Sequence, residues 1–163
     1  GSGKSTIGRQ LAKKLHRKFF DSDREIEKRT GVSISWIFEM EGEAGFRERE
    51  QKIIDELTAM DNIVLATGGG AVLSETNRQN LVRGTVVYLA ASAEQLSRRT
   101  PRDTSRPLLQ VGDRRQQIKQ LMAQRDPLYR EVADVVLQTG DQSVTRTVNA
   151  VIKQLQQLKT KDI

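Results

Sequence analysis

The sequence predicts an α/β fold, a central parallel sheet covered by helices on both faces. Three observations predict it. Four strand-sized apolar runs alternate with amphipathic helical stretches, the pattern of a doubly covered parallel sheet. Two of those runs end in "DSD" and "TGGG", polar and glycine-rich segments where the carboxyl edge of an open α/β sheet binds ligands. The chain also opens on "GSGKST", the second half of a phosphate-binding loop.

The phosphate-loop pattern is G-x-x-x-x-G-K-[ST], in which backbone N–H groups wrap the phosphates, Lys reaches their terminal oxygens and the hydroxyl ligates Mg²⁺. Gly1, Ser2, Gly3, Lys4, Ser5 and Thr6 supply the later part. The pattern's first Gly and the strand that feeds the loop fall ahead of Gly1, so about ten further residues are expected upstream, enough for a strand of about five or six. "GSG" is also a common linker scar. Against that reading, "KSTIGRQLAKKL" continues at once as a helix over 4–16 with Ile7, Leu11 and Leu15 on one face. Gly3 and Lys4 then stand at a helix N-terminus, where anions bind.

The first strand is expected over 18–23, "KFFDSD". Period-2 spacing points Asp21 and Asp23 the same way, one to position hydrated Mg²⁺ and the other to accept a hydrogen bond from a substrate hydroxyl. Asp23 also suits the cap of the next helix. Helices follow over 23–30, 33–40 and 43–60 without an intervening strand. Residues 24–60 therefore form a lobe over one end of the sheet, a natural place for substrate. Arg47, in "GFRERE", lies on that lobe.

The second strand, "NIVLAT" (62–67), runs into Gly68, Gly69 and Gly70. Three glycines in a row give up much backbone entropy, which implies close approach of a ligand to the main chain or a tight turn. A helix over 75–83 leads to the third strand, "TVVYLAA" (85–91), and a further helix over 92–100. Residues 100–113 hold Pro101, Pro107 and Gly112, with Arg99 just before them and Arg102 and Arg106 inside. This Pro-broken polar stretch suggests a mobile lid, and Arg106 is placed to neutralise a phosphate and exclude water as it closes. A helix over 114–130 carries Arg125 ahead of the fourth strand, "ADVVLQT" (133–139), and a last helix over 143–158 repeats Val144, Val148, Val151, Ile152 and Leu155 on one stripe. All four strands read as buried. Trp36 reads as core or pocket wall and His16 as solvent-facing.

At 163 residues, a single domain is expected over 1–163, within the usual range of about 100–200. No apolar run approaches the roughly 18 residues of a membrane span. No Cys is present, which removes disulfides and thiolate metal clusters, and no signal peptide precedes the domain; both features fit the cytoplasm. A net charge of +6 suits an anionic partner. Aromatic content of 4% offers few platforms for stacking bases, and the arginines are dispersed, so the charge points to small phosphates and carboxylates rather than nucleic acid.

Together "GSGKST", "DSD", "GFRERE", "LATGGGAVL", "RPLL" and "RDPLYREVAD", in this order, closely resemble the shikimate kinase family, over nearly the whole chain. The resemblance implies a nucleoside-monophosphate-kinase fold with strand order 2-3-1-4-5, the first strand lying ahead of Gly1. It implies transfer of the γ-phosphate of ATP to the 3-hydroxyl of shikimate on the route to chorismate, by a monomer that needs Mg²⁺. By that likeness Lys4 is the phosphate-loop lysine, Ser5 the Mg²⁺ ligand and Asp21 its neighbour. Asp23 holds the shikimate hydroxyls and can act as base. Arg47 and Arg125 clamp the carboxylate, which guanidinium forks bind in bidentate fashion. Gly68, Gly69 and Gly70 lie beside the substrate, Arg106 reaches the phosphates from the lid, and Arg99 stacks near adenine. A gluconate kinase is the rival within this chemistry, since two arginines ask for an acid without naming it.

Overall fold

A computed structural model describes residues 4–91 and 114–161. The expected helix over 92–100, the lid over 100–113, Arg99, Arg106 and Gly1 to Gly3 lie outside the described residues. In chain order the elements are α1 (Lys4–Leu15), β1 (Lys18–Asp21), α2 (Ser22–Thr30), α3 (Ile34–Thr58), β2 (Ile63–Ala66), a 3₁₀ turn (Ala71–Leu73), α4 (Glu75–Leu81), β3 (Val87–Ala90), α5 (Arg114–Val132), β4 (Val135–Gln138) and α6 (Val144–Lys161). Strand alternates with helix as expected, and both described ladders are parallel: β1 pairs with β2 and β3 with β4.

Two apolar clusters cover opposite faces of the strands. On one side Ile26, Ile37, Phe46, Ile53 and Leu57 of α2 and α3 pack with Phe20, Ile63 and Leu65. On the other, Ile7 and Leu11 of α1 and Val148 and Val151 of α6 pack with Val64, Val87, Leu89 and Leu137. Ile63 and Leu65 thus face one layer and Val64 the other, the period-2 alternation of a strand sandwiched between helices. Gly8 lets α1 press onto β1, since a Cβ there would stand 2.6 Å from Phe19 Cε1.

Burial of the strands corrects the expectation. β1, β2 and β3 are largely half-buried, and Val136 of β4 is exposed. The cause is the division of the strands into two pairs. A cavity of about 930 Å³ is lined by β2 and β3 together with Ile7 and Leu11 of α1, which leaves the strand residues facing it partly accessible.

Two local details also depart from expectation. β1 ends at Asp21, whose side chain caps α2 by accepting from the Asp23 and Arg24 N–H groups. Asp23 therefore belongs to the first turn of α2, and it is Asp21, not Asp23, that caps. The two helices expected over 33–40 and 43–60 form one element, α3, broken by Gly42 at φ 74°, ψ 179°. A side chain rarely adopts that φ, so glycine at this point allows the chain to turn between two helical halves. Trp36 is 44% exposed and lines a small hollow with Val32 and Ile37, a wall residue rather than core. His16 is exposed as expected.

Candidate functional site

At the carboxyl end of β1 the Asp21 carboxylate organises one half of the site. Asp21 Oδ1 accepts from the N–H groups of Asp23 at 3.0 Å and Arg24 at 3.3 Å, while Oδ2 accepts from Ser5 Oγ at 2.5 Å. One carboxylate thereby ties the first turn of α1 to the strand end and starts α2. Lys4 is the first residue of α1, so its side chain and the unsatisfied N–H groups of that turn share one end of the helix. Thr6 is exposed on the same turn.

The other half assembles around Gly68, Gly69 and Gly70. Parallel register sets Asp21 opposite Ala66, so the start of α2 and the residues after β2 leave the sheet side by side. Each glycine faces a different charged side chain. A Cβ on Gly68 would stand 3.1 and 3.2 Å from the Asp23 carboxylate oxygens. On Gly69 it would stand 3.0 Å from Arg125 Nη1, and on Gly70 2.6 Å from Arg47 Nη1. The three residues sit on α2, α5 and α3, far apart in sequence, and the missing side chains of the glycines are the space they occupy. That closeness is the physical reason for three consecutive glycines here.

Arg47 is held from below. Its Nη1 donates to Glu50 Oε1 at 2.9 Å and its Nη2 to Glu43 Oε1 at 3.4 Å, and its guanidinium lies 5.2 Å from the Phe46 ring centroid. Glu50 is 1% exposed while Arg47 is 23% exposed, so the pair has a buried anionic foot and a cationic head open to the cleft. Burial pushes the Glu50 carboxyl above its ordinary range; Arg47 opposes this, Asp23 adds to it and Arg125 opposes it again. Those four groups therefore sense one another in a single electrostatic unit. Arg47 Nε and Arg125 Nε are buried donors without a hydrogen-bond partner among the described residues, which suits a cleft made to receive an anion; Glu50 Oε2, also buried and unpartnered, is an acceptor and adds nothing to that.

Residues 1–156 match the family model for shikimate kinase. The chain belongs to the shikimate kinase family. It is 60% identical over 160 residues to a shikimate kinase of Nitrosococcus oceani, covering 98% of this chain and 84% of that one. A shikimate kinase of Chromohalobacter salexigens is 57% identical over 97% of this chain and 88% of its own length. Among solved structures, a shikimate kinase from Acinetobacter baumannii in complex with shikimate superposes with a TM-score of 0.95 at 47% identity, covering 97% of this chain and 89% of that one. The α/β architecture with parallel strands is that of a P-loop kinase of this family.

Of the residues singled out for shikimate kinase chemistry, the structure brings Ser5 to Asp21, and Asp23, Arg47 and Arg125 to Gly68–Gly70. It does not leave Asp21 and Asp23 as equivalent carboxylates, because the first is committed to a cap and to Ser5. Two residues escaped the sequence reading. Glu50 lies three positions after Arg47 on one helical face, a spacing at which a carboxylate can pair with it. Tyr129, four positions after Arg125, donates its hydroxyl to the Gly69 carbonyl at 2.5 Å. Both stand inside quoted motifs and showed only as helical spacing.

Proposed function

We propose that this cleft is where the chain carries out the reaction of its family, transfer of the γ-phosphate of ATP to the 3-hydroxyl of shikimate. The observation that carries the reading is the convergence of Asp23, Arg47 and Arg125 on three successive glycines. Two guanidinium groups suit a planar carboxylate, and a carboxylate across the same cleft suits the hydroxyls of that acid. Asp23 orients the attacking hydroxyl and takes its proton. Lys4 and the N–H groups at the start of α1 hold the phosphates and neutralise charge as the phosphoryl group moves in line.

Mg²⁺ prefers oxygen donors, keeps several waters and takes few protein ligands beside substrate phosphates. Ser5 and Asp21 offer such oxygens side by side, and no cluster of three or more His, Cys, Asp or Glu that could cage a metal exists among the described residues. Ser5 and Asp21 are accordingly the residues that would hold Mg²⁺. When bound there, the ion would offset the charge of the phosphates. The phosphate contacts of Gly1 to Gly3 and Thr6, the closing of Arg106 over the phosphates from a lid at 100–113, and the stacking of Arg99 at adenine are carried over from the family resemblance.

The same resemblance supports a monomer, and the sequence reading supports one kinase domain with a substrate lobe at 24–60, in the cytoplasm and without nucleic acid. No helix among the described residues is long and apolar enough to cross a membrane. A coupled assay tests the function: ADP is released with Mg-ATP and shikimate and not with gluconate. Absence of turnover with shikimate overturns the reading.

A further inference from the structure

We propose that Tyr129 is a positioning residue for shikimate: its hydroxyl fixes the Gly69 carbonyl and so sets the three-glycine segment in register with Arg125. The inference rests on the reading that Arg47 and Arg125 receive the substrate's carboxylate.

Three glycines in sequence have wide backbone freedom, so a segment that must present fixed amides beside an anion needs external anchors. Every carbonyl from Gly68 to Val72 accepts a hydrogen bond, and those of Gly69, Ala71 and Val72 accept it from outside the segment. The Gly68 and Gly70 carbonyls accept from the Ala71 and Leu73 N–H groups at 3.2 and 3.1 Å, bonds internal to the turn. The Ala71 carbonyl accepts from Asn77 Nδ2 at 3.0 Å and the Val72 carbonyl from Arg78 Nη1 at 2.7 Å, both from α4. Among the described bonds, the Gly69 carbonyl alone is anchored from α5, by Tyr129.

That helix also carries Arg125. Positions 125 and 129 share one helical face, and a Cβ on Gly69 would meet both, at 3.0 Å from Arg125 Nη1 and 3.2 Å from the Tyr129 hydroxyl. One bond thus locks the substrate-facing backbone to the helix that bears the guanidinium. A trans peptide points its C=O and N–H in opposite directions, so drawing the Gly69 carbonyl toward α5 turns the Gly70 N–H away from α5. Without the bond, the carbonyl oxygen can rotate toward an incoming carboxylate and repel it.

Tyr129 is itself held in place. Its ring lies 4.7 Å from that of Tyr88 on β3, whose hydroxyl donates to Asp126 Oδ1 at 2.7 Å, while Arg130 Nε donates to Asp126 Oδ2 at 2.8 Å. Burial and the bond to Asp126 raise the Tyr88 phenol above its ordinary range, so it remains a donor wherever the enzyme works. This network ties α5 to β3 and packs the Tyr129 ring, whose hydroxyl donates to the Gly69 carbonyl.

Tyr129→Phe removes one hydroxyl and keeps the ring. Titration with shikimate and separately with ADP is expected to show shikimate affinity lowered about three- to tenfold, as for loss of one neutral hydrogen bond, with ADP affinity within about twofold of the unsubstituted enzyme. The KM for shikimate should rise by a larger factor than kcat falls. In combination with Arg125→Ala, the double variant should lose less than the product of the two single losses, since both act on one contact. Unchanged shikimate affinity in Tyr129→Phe, beside a weakened Arg125→Ala, overturns the inference; equal weakening toward shikimate and ADP also overturns it, as a general structural loss. Unchanged affinity in Arg125→Ala overturns the carboxylate reading beneath it. Should Tyr129→Phe not fold, the ¹³C resonance of the Gly69 carbonyl in the unsubstituted protein decides: a hydrogen-bonded carbonyl resonates downfield, and a resonance at the unbonded position, with and without shikimate, overturns the proposal.

Discussion

Asp21 and Asp23 stand two residues apart, yet they belong to differently built halves of the cleft. The half around Asp21 joins a helix start to a strand end through one carboxylate, which caps α2 and accepts the 2.5 Å bond from Ser5. The half around Asp23 is made of side chains from α2, α3 and α5 meeting on glycine backbone. The difference teaches where each half can fail. On the proposed function a phosphate would be held by several backbone donors, so that half would tolerate small displacements but depend on its cation. The acid-binding half depends on side chains whose carriers are held together only by packing, so a change beneath it is felt as affinity.

The largest effect that would sharpen this contrast is in the first half. Lys4→Ala should lower kcat about 10²–10³-fold, the usual loss when a charge-stabilising donor is removed, while the shikimate KM moves little; steady-state kinetics in both substrates checks the split. An equal rise in the shikimate KM would break the division between the halves.

Next come the two arginines, which should behave differently from one another. Arg47→Ala and Arg125→Ala should each weaken shikimate binding by about tenfold or more, as expected for a charged hydrogen bond. Only Arg47→Ala should also lower stability, by about 1–3 kcal/mol, because it strands the 1%-exposed Glu50 carboxylate. Calorimetric titration and thermal melts of the two variants read this directly, and equal melting temperatures would show that Glu50 does not depend on Arg47.

A smaller effect separates the two jobs of Asp21. Asp21→Asn retains a good cap and Asp21→Ala does not, so the alanine variant should be about 1 kcal/mol less stable than the asparagine variant. Both should lose kinase activity if the carboxylate charge serves the metal. Denaturant melts and activity at rising Mg²⁺ distinguish capping from charge.

The smallest effect lies in pH. The folded-state value of Glu50 is raised above its unfolded value, so its protonated form favours the fold: the contribution is present in acid and is lost as pH rises through the raised value. The melting temperature of the unsubstituted protein should therefore fall relative to Glu50→Gln as pH rises above the ordinary carboxylate range. A constant difference as pH rises would mean that Arg47 fully offsets the burial.

Much of the fold was legible because its signals are local. Ile7, Leu11 and Leu15 repeat at helical spacing, β-branched runs mark the strands, and the break between the expected helices ending at 40 and starting at 43 falls on Gly42. The "TGGG" segment announced a close approach, although not which side chains approach it. What the sequence could not show was pairing at long range. That Asp23, Arg47 and Arg125 converge on the three glycines, that Tyr129 reaches Gly69 across 60 positions, and that β1 ends so that Asp21 rather than Asp23 caps α2 are consequences of how α2, α3 and α5 pack on the strands. Residue types and spacing determined the class of fold and the charged groups available to a substrate, because helix and strand periodicity are written in neighbouring residues. Only the tertiary structure decided which glycine meets which charge and which carboxylate is spent on a backbone cap, because such contacts depend on burial and register that no local stretch contains.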